Sequence, residues 1–166
     1  MNTRPRIEIK LTPTDKLLEG AAWAAFILLW ALPVFSYQGL PDTIPIHYGF
    51  TGQVTNYGNK ATIFVVPFVH TFLFIGLTVL NKYPHIFNFP VEITEKNALQ
   101  QYKNATRLIR YCKFIFTVMF LWMKYQTIQT AVGKSDGLGI WFLLISLGLI
   151  FLPIVYYIMK SIKTRG

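Results

Sequence analysis

Three kinds of side chain in this sequence could do chemistry: imidazoles, an isolated ammonium, and loop tyrosines set among prolines. His47 and Tyr48 fall in "GLPDTIPIHYGFTGQVTNYGNK", residues 39–60, together with Pro41, Pro45, Tyr57 and Lys60. His70 and Lys124 instead interrupt apolar stretches, "TIFVVPFVHTFLFIGL" and "FIFTVMFLWMKYQTI". An imidazole titrates close enough to neutrality to carry or relay a proton. An ammonium in hydrocarbon must find a partner, reach the interface or serve a ligand, so both intramembrane groups are functional candidates by default.

Each has a structural reading beside the functional one. Lys124 can snorkel outward, or pair with Asp42, Asp136 or a ligand anion. His70 can be a neutral, hydrogen-bonded core residue, and His47 a hydrogen-bonding loop residue. The tyrosines, Tyr156 and Tyr157 included, suit interfaces and packing. The three histidines, His47, His70 and His85, are kept apart by the spans described next, so no metal site is assigned. No nucleophile elbow, phosphate-cradling glycine loop or paired carboxylates occur. No catalytic residue and no cofactor are therefore assigned, and the reading leans away from an enzyme.

The elements that must position these groups are set by composition. Of 166 residues, 53% are hydrophobic and only 14% charged, where soluble domains average about a quarter charged. Four stretches, 17–37, 61–80, 108–131 and 138–159, approach the roughly 20 apolar residues a crossing helix needs. The third is the weakest, with Lys113 and Lys124 at the flanks of its apolar run. The first is too long for a secretory signal and lacks a clear cleavage pattern, so it is read as retained.

Charge placement orients these spans. Lys and Arg number four in residues 1–16, six between 81 and 113, and three from Lys160 onward, which is 13 of the 16. Basic residues stay on the cytoplasmic face during insertion, so four crossings place both termini inside and loop 39–60 outside. Three crossings would put the C-terminal cluster on the wrong side. The expected fold is an all-α integral membrane protein, one domain over 1–166, of the plasma membrane. Its basic face suits an anionic inner leaflet better than nucleic acid. Cys112 is the one cysteine and forms no internal disulfide.

Local signals add detail. Thr12 caps helix one, with Pro13 at its first position and Asp15 in its first turn. Pro33 and Pro67 are expected to kink helices one and two. Thr94 caps a helix running from Glu95 to Ala131, longer than a bilayer is thick, whose first half projects into the cytoplasm. "IEI" and "PVEI" are candidates for a small ribbon below the membrane. "IPIHYGF" and "VTNY" can form the two arms of an outer hairpin around Gly52. Asn104-Ala-Thr106 forms a glycosylation sequon on the inner side.

The loop also resembles a known family. Leu40, Pro41, Ile44, Pro45, His47, Gly52, Gly58 and Lys60 stand where the signature of the domain of unknown function 1648 membrane family has them. "PRIEIKLTPTDKLLE" and "FNFPVEITEKNALQQY" fit as well. The resemblance implies a multi-spanning prokaryotic membrane protein. The same family forms the N-terminal part of Sdp-type immunity and signal-receptor proteins. This chain departs from those: it ends after four spans and has Thr55–Asn56 where an acidic residue often follows the turn.

Three functions follow as expectations. In the first, Pro41, Pro45, His47, Tyr48, Tyr57 and Lys60, with His70 and Lys124 beneath, bind an extracytoplasmic peptide or small ligand in the manner of immunity or sensing proteins. In the second, a His70/Lys124 cavity serves a transporter or permease-associated subunit. In the third, the chain is a structural partner in a membrane complex.

Overall fold

A computed structural model describes residues 4–164. Helix α1 (Pro13–Ser36) opens as the sequence predicts. The Thr12 hydroxyl accepts from Asp15 N, and Asp15 Oδ2 accepts from Thr12 N at 2.9 Å, a reciprocal box that satisfies first-turn donors. After a 3-10 turn, strands β1 (Thr43–Tyr48) and β2 (Val54–Asn59) form an antiparallel hairpin. Thr43 pairs with Asn59 and Tyr48 with Val54, and the ladder is irregular on both sides of His47. A 3-10 segment, Lys60–Phe64, leads into α2 (Val65–Leu80). Then follow α3 (Ala98–Ala131) and α4 (Trp141–Lys163). The described residues are therefore mostly helical with one two-stranded sheet, rather than purely helical.

Among the described residues, three helical stretches, Pro13–Gly39, Lys60–Leu80 and Trp141–Lys163, are long and apolar enough to cross a membrane. Helix α3 is long enough, at about 50 Å by the usual rise, but too polar to qualify on composition. Its polarity has a structural reason. α1 packs along α3, α2 and α4 also lean on it, and its polar side chains point inward. Arg110, Lys113, Thr117, Lys124 and Thr127 recur at three-, four- and seven-residue intervals and are all buried. The side chains of α4, by contrast, are mostly exposed and apolar.

Several local expectations change. Pro67 sits in the first turn of α2, directly after the 3-10 segment, whereas Pro33 lies within the interior of α1. α3 starts at Ala98 rather than Glu95, because Thr94 and Asn97 cap one another's backbone N–H groups in a preceding turn. "IEI" and "PVEI" form no ladder among the described residues. Ile7, Ile9 and Phe89 instead pack side by side on Ile93, Ala98 and Tyr102, and the Tyr102 hydroxyl donates to Pro5 O at 3.1 Å.

Candidate functional site

The hairpin closes one end of the helix bundle. Leu40, Ile44 and Ile63 bury against Ile128 near the end of α3, with Tyr37, Ile46 and Phe64 around them. Its tip turns through Gly52, at φ +81°, a conformation that costs glycine little. There Gly52 O accepts from Leu138 N at 2.8 Å, and Gln53 bridges to Gly137. A Cβ on Gly52 would stand 2.5 Å from Gly139 O, so the two loops meet backbone to backbone. That docking uses residues 137–139 in the loop and delays the start of α4 to Trp141.

At the hairpin base, Lys60 Nζ pairs with Asp42 Oδ1 at 3.1 Å and lies 5.5 Å from the centre of the Tyr37 ring. Lys60 N also donates to Asp42 O. Lys60 thus ties the two ends of the hairpin together. Pro41 is exposed beside it, Pro45 is buried in β1, and Tyr57 is exposed on β2.

His47 and Tyr48 share a cleft. It holds about 420 Å³ between β1, the hairpin tip and the start of α4, with Ile46, Phe50, Met123, Phe142 and Leu143 along its walls. Phe50, 89% exposed at the tip, presents its ring at the edge of the cleft. The Thr127 hydroxyl donates to Met123 O at 2.8 Å, so the Tyr48 hydroxyl, 2.8 Å away, is the donor to Thr127. Burial pushes the Tyr48 phenol above its ordinary value, which keeps that donor protonated. The His47 ring is exposed and makes no hydrogen bond among the described residues.

His70 and Lys124 lie apart from this cleft, on the buried side of α2 and α3. Thr117 Oγ1 donates to Lys113 O at 2.7 Å, so His70 Nε2, 2.9 Å from it, carries the ring proton. His70 Nδ1 is then an acceptor, buried and without a partner, with the rings of Phe26, Phe74 and Phe120 around it. One turn from Thr117, Lys113 bonds Glu19 and reaches Thr78 Oγ1 at 3.0 Å, over the Phe74 ring. Arg110 Nε stands 3.8 Å from the other Glu19 oxygen. Lys124 is 6% exposed and forms no ion pair among the described residues. It therefore pairs with neither Asp42 nor Asp136; its stem is buried while its ammonium keeps some accessible surface. A file of buried polar groups thus runs along α3 from Arg110 to Thr127.

The sequence reading passed over several of these residues. Thr127 anchors Tyr48, Gly137 and Gly139 receive the hairpin tip, and Glu19 neutralises Lys113. The glycine-rich "DGLG" loop opposite the hairpin was a usable signal for the docking. Glu19 and Lys113, each near the end of its apolar stretch, were a usable signal for the pair.

Residues 24–71 match the model of a domain of unknown function, DUF1648. The matched stretch runs from within α1, through the hairpin, to the first turns of α2, and it contains His47, Lys60 and His70. The resemblance drawn from the loop therefore holds for this part of the chain. "PRIEIKLTPTDKLLE" and "FNFPVEITEKNALQQY" lie outside the DUF1648 match. The chain is also 24% identical over 163 residues to an uncharacterized protein of Archaeoglobus fulgidus, covering 90% of this chain and 88% of that one. No solved structure matches.

Proposed function

We propose that this is a four-span protein of a prokaryotic plasma membrane, one domain with both termini inside, whose outer cleft binds an apolar peptide segment or small hydrophobic ligand. The DUF1648 match and the three apolar helices support a membrane protein. The fourth crossing is α3, whose polar side chains are shielded by its neighbours as an intramembrane polar face must be. The observation that carries the ligand reading is the cleft itself: apolar walls, an exposed aromatic tip, and an unbonded imidazole beside a fixed phenol. A few polar groups orienting a ligand on apolar walls is the usual composition of small-ligand sites. A sensing or immunity role would use this contact with a secreted molecule.

The test offers aromatic hydrophobic peptides to the protein in nanodiscs and follows its unfolding temperature, which a ligand specific to the folded state raises. Some member of such a set should stabilise the wild type, and a His47→Ala/Phe50→Ala double variant should need at least about tenfold more of it, a loss of roughly 1.4 kcal/mol. No stabilisation by any peptide, or equal stabilisation of the variant, would remove the outer-cleft reading.

A second reading is favoured by the file along α3, where His70 Nδ1 is buried without a partner and the mostly buried Lys124 forms no ion pair among the described residues. In a transporter, such groups would pass a proton or hold an anion. His70→Ala would then abolish pH-dependent uptake into vesicles, while His47→Ala would leave it intact.

A further inference from the structure

At the end of the bundle opposite the hairpin, α1, α3 and α4 part to leave a second crevice, of about 320 Å³. Leu18, Leu108 and Pro153 form apolar wall, while Asn104, Arg107 and Lys160 supply nitrogen donors. Asn104 is 8% exposed; its Oδ1 accepts from Gln100 at 3.1 Å, and its Nδ2 is buried with no partner. A buried amide donor left unmade costs about 1–3 kcal/mol, so the crevice lacks an acceptor. Arg107 directs Nε to Asp15 at 2.8 Å and one terminal nitrogen to Thr12 at 2.9 Å, leaving its other terminal nitrogen uncommitted. Lys160 forms no ion pair among the described residues, and no carboxylate lines the crevice.

We propose that this crevice binds one anionic phospholipid of the inner leaflet. Its phosphate oxygens would accept from Asn104 Nδ2, Arg107 and Lys160, and an acyl chain would lie along Leu18, Leu108 and Pro153. The inference rests on the membrane and inside-facing reading of this end, and not on the outer cleft. Two observations select a lipid over a soluble anion. The walls are apolar, and a free phosphate gains nothing from them. The flank of α4 beside the crevice is also exposed and apolar, with Leu152 72% and Tyr156 67% exposed, so the crevice adjoins the surface that acyl chains would cover. Basic pockets between spans on the cytoplasmic side are suited to such headgroups.

The experiment is native mass spectrometry of the full chain taken from nanodiscs of phosphatidylcholine with a minority of phosphatidylglycerol. The wild type should retain one phosphatidylglycerol in preference to phosphatidylcholine, and excess inorganic phosphate should not displace it. Lys160→Ala should lower its occupancy about fivefold, the effect of one basic group near a lipid phosphate, while Lys163→Ala, exposed and outside the crevice, should not. Leu18→Trp, which fills the apolar wall and leaves every donor in place, should exclude the lipid. Equal losses for the two lysine variants would mean diffuse attraction and overturn the site. Displacement by inorganic phosphate, or indifference between the two lipids, would overturn it as well. A failure of the outer-cleft test would leave all of these outcomes unchanged.

Discussion

At the scale of single residues, the decisive feature is how buried charge is neutralised. Lys113 is 1% exposed and depends on one carboxylate, Glu19, with Thr78 as its second acceptor. Removing one partner of a buried pair is far costlier than removing both, because it strands a charge. Glu19→Leu should therefore cost about 3 kcal/mol of unfolding free energy, and Glu19→Leu/Lys113→Met should recover only part of that loss, because Arg110 still lacks its carboxylate. Denaturant titration in mixed micelles would measure both; a double variant no more stable than Glu19→Leu would show that the pair is not what holds Lys113. His70 obeys the same logic with a neutral group. Thr117→Val leaves both of its ring nitrogens unpaired, whereas Thr117→Val/His70→Phe removes the need, so the double variant should be the more stable of the two.

At the scale of elements, the hairpin and the α3–α4 loop form one layer at the same end of the bundle through glycine contacts. Gly137 has φ +138°, and an added Cβ there would collide with Gly52 O. Gly137→Ala should separate the loops at a cost of about 1–3 kcal/mol. Faster amide hydrogen exchange across residues 43–59, with helices α1 and α3 unchanged, is the expected signature; unchanged exchange in the hairpin would mean that its own core with Ile128 is sufficient. The hairpin arms were legible in the sequence because alternation and a glycine turn are local signals. The partner of its tip was not, since "DGLG" begins at Asp136, 84 residues beyond Gly52, and nothing local links the two. The inner ribbon failed for a related reason: apolar alternation specifies a buried face, and Ile7 and Ile9 found theirs on α3 instead of on a second strand.

For the whole molecule, the prediction concerns threading. In a Cys112→Ser background, cysteines at Lys60 and Lys134 should react with an impermeant maleimide in intact cells, and a cysteine at Lys163 should not. The reverse pattern would invert both the outer cleft and the lipid crevice. The Asn104 sequon cannot serve this purpose, because Asn104 and Thr106 are both buried in α3 and a missing glycan there would say nothing about sidedness.

Apolar content, the spacing of long hydrophobic stretches and the asymmetry of Lys and Arg are one-dimensional properties. They sufficed for the membrane class, while the cap at Thr12 was legible in the local order Thr12, Pro13, Asp15 and the DUF1648 segment through the resemblance of the loop residues. Which polar residues meet is a three-dimensional matter. Whether Lys124 lies exposed or buried, whether Lys60 faces a ligand or Asp42, and whether His47 shares a cleft with His70 all depend on how four helices pack and where the hairpin docks. Packing turned the polar face of α3 inward, because a charge inside a bundle can find Glu19 or a hydroxyl, and in hydrocarbon it would find nothing.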